Sequence, residues 1–522
     1  MKKLTCIIFL FLCGLYFPPV QAASFPTIRI TTPQNPFVDR ETWQNGTISI
    51  SGDFPLSTVD ARIRGRGNST WAAGADKRPL RFRLSEPMSI LGSGYVATDW
   101  ILLANHFDRS LLRNYTALTL GGMLDGLDFT PRPHFVHLYV NNNYMGVYIL
   151  TDERDVGQGR MPLKTGDFFI ELDARAQDGG VENETFFKVD EMLYDLRWPS
   201  NTYENAIQAR DYVKNASAAI QSRDFERIQQ LIDMDSFIDF YIIQELFKNS
   251  DIWSLSVFMS VRNGVLYMGP VWDFDLSAGN TGVAFMNPEG LYVAVSNHWF
   301  YYLMTTPEFF DAVTNRWKEI RFNEIEYIVN HINLTVQNYR GEFERNFTRH
   351  NIMGANLFGS TAETMAIPDF IGHVNHFTNW LNNRIAWLDE FFNTRETSMW
   401  ESVIDYFIDN PILIDSTQVN PPAILLGDSQ TRISLYTLEN VFGINIRFLE
   451  NGRIIFQQGS KSVIYVDNYL LVNGLRVDIT PMFFIEVDDF IYVPLRLILE
   501  NLGFNVDWHL EINGQTHIKT SS

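Results

Sequence analysis

From Phe25 to about Asp53, apolar and polar positions alternate in Thr27-Ile-Arg-Ile-Thr31 and again in Gly46-Thr-Ile-Ser-Ile-Ser-Gly52, with Gly and Pro at the breaks. A period of two predicts strands. Arg62 to Leu84 continues as strand, glycine-rich turn and strand, with Arg81-Phe-Arg-Leu84 again alternating. Between Asp108 and Gly122 the period changes: Leu111, Leu112, Tyr115, Leu118 and Leu120 fall at helical spacing, and the run stops on paired glycines. That predicts a helix. Val136-His-Leu-Tyr-Val140, Asn141-Asn-Asn143 and Met145-Gly-Val-Tyr-Ile-Leu150 form the strongest hairpin signal in the chain, and Phe168 to Leu172 reads as a buried strand.

From Thr202 to Lys248 the text is helical. Asp233-Met-Asp-Ser236 is a cap ahead of Phe237-Ile-Asp-Phe-Tyr-Ile-Ile-Gln-Glu-Leu-Phe247, which is apolar on nearly every side and predicts a core helix. After Asp251, strands with a turn at Asn263-Gly264 lead to Trp272-Asp-Phe-Asp275, which is expected at a strand end. Residues 296–396 return to helical text rich in Trp and Phe. Strands first and helices later predict an α+β fold. Pro411 to Pro422 reads as a linker, and the remainder as short strands with one amphipathic helix from Leu495 to Leu502, ended by Gly503. The expected layout is a leader over 1–23, a main domain over 24–400, a linker over 401–422 and a small β-rich α+β domain over 423–522.

Lys2 and Lys3, the apolar run from Leu4 to Phe17, and small residues near Ala22 and Ala23 predict a cleaved secretory leader. No later stretch has the ~20 uninterrupted apolar residues of a membrane span, so no anchor is expected once the leader is removed. Both cysteines, Cys6 and Cys13, lie in the leader, so the mature chain can have neither disulfides nor a thiol nucleophile. Losing Lys2 and Lys3 takes the formal charge from −20 to −22, which argues against non-specific binding of nucleic acid or an anionic membrane. The aromatic share of 14% points first to core packing and second to ring faces for sugars or peptides.

Two constellations carry candidate chemistry. In the first, Asn249-Ser-Asp251 follows the core helix and Trp272-Asp-Phe-Asp275 comes soon after. Acids converging from two such segments suit phosphoryl transfer, one orienting the attacking hydroxyl and others holding a divalent metal. Hard oxygen ligands suit magnesium or manganese. By spacing alone, capping and salt-bridge roles remain open for these acids. The second is Arg64-Gly-Arg-Gly-Asn-Ser-Thr-Trp71 with Lys77-Arg-Pro-Leu-Arg81. A glycine-containing turn lets backbone N–H groups approach phosphate, although the Walker spacing and a full GxGxxG are missing. A basic hairpin pairing with surface acids is the other reading.

In their order, these segments resemble the CotH (spore coat protein H) kinase family over most of residues 60–390. The resemblance rests on Arg64 to Thr70, Lys77-Arg-Pro79, Asp108-Arg-Ser-Leu-Leu-Arg-Asn114, Tyr144 to Leu150 with Glu153, Asp235-Ser-Phe-Ile-Asp239, Asn249 to Asp251 and Trp272 to Asp275. It implies an atypical protein-kinase-like two-lobed domain that transfers phosphate from ATP to Ser or Thr of proteins. On that resemblance Asp251 is the catalytic aspartate and Asp273 the metal aspartate, with Asp275 a second candidate ligand. Lys77 is the phosphate-contacting lysine, and Arg64, Gly65, Arg66, Gly67 and Asn68 cover the nucleotide. Kinase-like loops place Asn five residues after the aspartate as a metal ligand; here Ser256 stands there, a hydroxyl that ligates a hard cation less firmly. Glu153 is a candidate acid partner for the lysine.

Tyr492-Val-Pro-Leu-Arg496 to Trp508 resembles the copper amine oxidase N-terminal-like domain of exported bacterial proteins. The resemblance implies a wall-associated or spacer role rather than copper, and His509 and His517 read as surface histidines. The combined expectation is a secreted or cell-surface kinase acting on surface or coat proteins. The alternatives are a non-catalytic kinase-like scaffold or adhesin, or another nucleotide-dependent transfer such as AMP attachment.

Overall fold

The computed structural model describes residues 24–33, 39–175, 186–190, 192–199, 202–280 and 287–394, and a series of short segments from 413 onward. The leader and residues 401–412 of the expected linker lie outside the described residues.

The alternating N-terminal text forms a closed barrel. Its strands are β1 (Thr27–Thr31), β2 (Gln44–Ser51), β3 (Leu56–Gly65), β4 (Leu80–Met88), β5 (Ala97–Leu103), β6 (His134–Val140) and β7 (Asn143–Asp152), in the order β1-β2-β3-β4-β5-β7-β6. Neighbours are antiparallel except at the closure, where β1 runs parallel to β6 with Ile28 opposite Leu138. Alternate positions fill the interior: Ile28, Ile30, Ile48, Ile63, Phe82, Trp100, Leu102, Leu138 and Leu150. The opposite faces of β5, β6 and β7 are apolar as well, because Ile101, Leu103, Phe135, Val147 and Ile149 belong to a second and larger core. The expected hairpin is β6–β7, turned by Asn141 and Asn142 at positive φ.

That larger core joins the barrel to an antiparallel sheet and a set of helices. The sheet comprises β8 (Phe168–Leu172), β9 (Phe186–Val189), β10 (Met192–Trp198), β11 (Val257–Arg262) and β12 (Val265–Met268), in the order β12-β11-β8-β10-β9. A short α1 (Ser69–Ala72) sits between β3 and β4, and α2 (Arg113–Gly121) follows β5. Helices α3 (Tyr203–Ser222), α4 (Phe225–Leu231) and α5 (Met234–Phe247) precede β11. Helices α6 (Val293–Ser296), α7 (His298–Met304), α8 (Pro307–Ile320), α9 (Glu326–Arg349), α10 (Ala362–Ala366) and α11 (Phe370–Thr394) come after β12. The fold is α+β. Every residue of α5 from Ser236 to Phe247 is buried, as its all-round apolar text predicts, and Asp233 caps it by accepting the Ser236 N–H at 2.9 Å. Lys248, in the left-handed region, ends α5 and turns the chain into Asn249–Asp251.

Three local expectations are corrected. The helix predicted from Asp108 starts only at Arg113. Asp108 instead folds the preceding turn, accepting the Ser110 N–H and the Arg113 N–H at 2.9 Å each, and Leu111 sits at φ +61°. Trp272–Asp275 does not end a strand: β12 stops at Met268 and 269–280 is irregular. Within the expected linker, Leu413–Ile414 pairs with Thr417–Gln418 and with the strand Thr516–Ser521. Further on, the amphipathic helix Leu495–Leu502 ends at Gly503, φ +95°, and leads into the strand Asn505–Leu510, as read from the sequence. Among the described residues no helix is long and apolar enough to cross a membrane.

Candidate active site

Helix α5 delivers Asp251, and a web of side-chain bonds brings Asp273 to it. Asn249 is the link: its Oδ1 accepts the Asp251 N–H at 3.1 Å, and its Nδ2 donates to the Trp272 carbonyl at 3.2 Å. Asn114 on α2 accepts the Phe274 N–H at 2.7 Å, and Arg113 donates to the carbonyls of Ser277 and Ala278 at 3.0 Å each. Arg113 is itself paired with buried Asp108 at 2.7 Å. Within 272–278 the backbone is thus shared between these side chains, the Ser277–Phe274 turn and the Phe247 carbonyl, which accepts the Ala278 N–H at 2.8 Å, and no ladder forms. Asp273 is held at φ +65° and Ser256 at φ +55°, two non-glycine residues in the left-handed region facing each other.

Asp251, Ser256 and Asp273 line one chamber of about 230 Å³. Its other walls are Arg66, Gly67, Asn68 and Ser69 from the turn after β3, Glu171 and Asp173 from the end of β8, Arg154, Arg175, Arg197 from β10, Leu255 and Trp272. The Ser256 hydroxyl is 3.5 Å from Asp273 Oδ2, a long contact but on the side expected of a shared ligand. The Asp251 carboxyl is pushed up to about 7, first by burial and then by the charge of Asp273. Burial and the neighbouring charges of Asp273, Asp108 and Asp251 drive Asp275 well above the ordinary carboxylate range. Such crowding of like charge is relieved by a divalent cation, so the donor set fits magnesium or manganese. Among the described residues no three His, Cys, Asp or Glu side chains form a metal cage. Magnesium ordinarily takes one or two carboxylates and fills its shell with water and phosphate oxygens.

The glycine-bearing turn stands over this chamber and continues into a larger one of about 1190 Å³, lined also by Arg40, Glu41, Arg64, Trp71, Arg81, Glu153 and Phe358. Its close packing requires glycine: a Cβ on Gly65 would lie 2.2 Å from the Trp71 ring, and Gly67 sits at φ +86°. Arg40 donates to the Gly67 carbonyl at 3.0 Å and also to Asn68 Oδ1, pinning the turn from outside.

Lys77 is not brought to either chamber. It is buried against β7, where its Nζ donates to the Val147 carbonyl at 2.5 Å and lies over the Tyr148 ring. Burial lowers its pKa to about 7. Nor does Glu153 pair with it; Glu153 meets Arg81 at 3.1 Å and Arg154 at 3.8 Å. The reason is register: Arg81 and Arg83 fall on the outward face of β4, while Lys77, in the connection before it, tucks under β7. Of the cations that do line the chamber, Arg66 was singled out from sequence, and Arg154, Arg175 and Arg197 were not. Arg154 directly follows Glu153, one of the positions that carried the resemblance.

Residues 62–388 match the family described as CotH kinase protein. No curated protein matches the chain. The matched stretch runs from β3 into α11, covers more than half of the chain and contains the turn and both aspartates, and the chain belongs to the CotH kinase protein family.

Proposed function

We propose that this protein is an exported atypical protein kinase that transfers the γ-phosphate of ATP to Ser or Thr hydroxyls of surface or coat proteins. The observation that carries this reading is the meeting of Asp251 and Asp273, from segments separated by the β11–β12 hairpin, in one chamber beneath the Arg64–Asn68 turn. In a kinase-like, two-lobed reading of the fold, the barrel covers the nucleotide and the helical side carries the acids.

Asp273, with Asp275 and Ser256, would hold magnesium or manganese, which when bound neutralises phosphate oxygens. Asp251 orients the acceptor hydroxyl and takes its proton. The hydroxyl oxygen bonds to the γ-phosphorus as the bond from that phosphorus to the β–γ bridging oxygen breaks, and ADP leaves. Gly65 and Gly67 leave the turn's backbone N–H groups free to approach the phosphates. The acceptor is an exported protein if residues 1–23 act as a leader, and the copper amine oxidase N-terminal-like segment after residue 423 would then tether the enzyme to the wall or surface.

The chain from residue 24, incubated with labelled ATP, magnesium or manganese and a Ser-rich acceptor, tests this. Asp251→Ala should lower labelling by roughly 10²–10⁴-fold with an unchanged unfolding midpoint. Undiminished labelling by that variant would sink the assignment. The intact mass of the acceptor separates phosphate from AMP attachment. Ser256 in the place of the family's amide favours one rival, a non-catalytic scaffold, which predicts no thermal stabilisation by any nucleotide with either metal.

A further inference from the structure

We propose that Arg154, with Arg66 beside it, is the cation pair that grips a phosphate chain in the smaller chamber. For the identity of the nucleotide this rests on the phosphoryl-transfer reading above; for the phosphate chain it rests on the geometry of the wall.

Arg154 leaves the end of β7 and is about one-tenth exposed at its side chain. Its guanidinium lies 4.3 Å from the centre of the Trp272 ring and 4.5 Å from that of Phe258. Among the described residues its one ion pair is with Glu153 at 3.8 Å, and its Nε is buried with no hydrogen-bond partner among them. A guanidinium stays charged and offers five N–H donors in a fixed fork, so an under-satisfied one at a cavity wall points to an absent anion. Arg66, on the turn, lies 5.3 Å from the same Trp272 ring and has no ion pair among the described residues. The two cations thus share one indole, on the residue immediately before Asp273.

Arg66 and Arg197 repel Arg154, just as Asp273 repels Asp251. The chamber therefore has an arginine-rich wall, in which Glu171 and Glu153 draw Arg154 and Glu171 pairs with Arg197 at 3.4 Å, and an acidic floor. A peptide carboxylate would relieve the wall but face Asp173, Asp251 and Asp273. A chain of phosphates satisfies both, since some oxygens take the arginine fork while others share a cation with the floor. Lys77, buried against Val147 and Tyr148, is not available for this task.

The experiment is calorimetric titration of the full chain with inorganic tripolyphosphate, ATP and adenosine, each with magnesium. Arg154→Met and Arg66→Met are each expected to weaken tripolyphosphate and ATP by about tenfold or more, the loss of one charge-assisted contact. Arg154→Lys, which keeps the charge but not the fork, should fall between wild type and Arg154→Met, and Lys77→Met should bind like wild type. If Arg154→Met fails to fold, Arg66→Met decides, because its side chain is less enclosed. The proposal is overturned if wild type binds no tripolyphosphate, or if the folded arginine variants bind it within about twofold of wild type. Tripolyphosphate binding that the variants lose, without any binding of ATP, would keep the arginine pair and discard the nucleotide. ATP binding that the variants retain in full would do the reverse.

Discussion

The charges just behind the site and the charges inside it are organised in opposite ways. Behind it, opposite meets opposite. Asp108 and Arg113 pair at 2.7 Å and Glu245 and Arg384 at 2.6 Å, all nearly inaccessible to solvent. Their remaining valences are also filled. Glu245 accepts the backbone N–H groups of Tyr292 and Val293, and Arg384 donates to the carbonyls of Glu245, Pro288 and Gly290. Inside the site like charges also sit side by side, Asp251 with Asp273 on the floor and Arg66 with Arg154 on the wall, although Arg197 pairs with Glu171 at 3.4 Å. A closed buried pair is scaffold, because nothing further needs to bind it. A half-buried cluster of one sign is an arrangement the chain alone does not neutralise, and such clusters mark sites that take a ligand.

Substitutions in the two regions should therefore have different consequences. Arg384→Ala leaves Glu245 charged and buried, and is expected to cost about 3–5 kcal/mol of stability. Urea unfolding measures this, and a loss below about 1 kcal/mol would place the pair among weak surface contacts. Asp273→Asn should behave in the reverse manner. It removes one member of a repelling set, so the metal-free protein should be no less stable than wild type. Labelling of an acceptor should nevertheless fall by roughly 10²–10³-fold, and stabilisation by magnesium with ATP should vanish. An Asp273→Asn protein that unfolds earlier than wild type in chelator would show that this acid is structural, and the contrast between the regions would fail.

The same distinction explains what could be read from sequence. Features set by neighbours in the chain were legible: the β6–β7 hairpin from its asparagines, the Asn263-Gly264 turn between β11 and β12, and α5 from its apolar run and Asp233 cap. Asp251 was legible as a candidate because it follows the core helix, and Asp273 through the ordered motifs that carry the resemblance rather than through a strand end. What was not legible depends on pairing between distant segments. Barrel closure joins Ile28 to Leu138, and no local period announces it. Arg197 reaches the chamber because β10 pairs with β8, and Arg154 because β7 ends above Trp272. Lys77 depends on distant pairing too: the resemblance implies a phosphate-contacting lysine there, and the tertiary fold buries its Nζ against the Val147 carbonyl.

Lys77 sharpens the comparison because it is buried yet lies outside both patterns. Burial lowers it from 10.5 to about 7, with Asp108 pulling weakly the other way, and His106 and His350 sense its charge. The folded chain thus holds this proton less tightly than the unfolded chain. Between about pH 7 and 10 the unfolded state binds more protons, so the contribution of Lys77 to stability rises with pH across that window and is lost as pH falls through its folded pKa. Denaturant unfolding at pH 7 and pH 9 should show the rise in wild type and a flatter dependence in Lys77→Met. Equal slopes in the two proteins would mean that Lys77 is not the group responsible.

The smallest expected effect concerns Ser256. Its φ of +55° is a conformation in which asparagine is more at home than serine, because the short amide side chain bonds locally. Ser256→Asn should therefore leave stability unchanged or raise it by a few tenths of a kcal/mol, in line with small backbone-propensity gains. It also places an amide oxygen where the hydroxyl now lies 3.5 Å from Asp273. If the floor is short of neutralising ligands rather than short of charge, manganese affinity measured by electron paramagnetic resonance should tighten by about threefold to tenfold. Unchanged affinity would mean that position 256 lies outside the cation's shell, and that serine there is a neutral replacement rather than a weakened ligand.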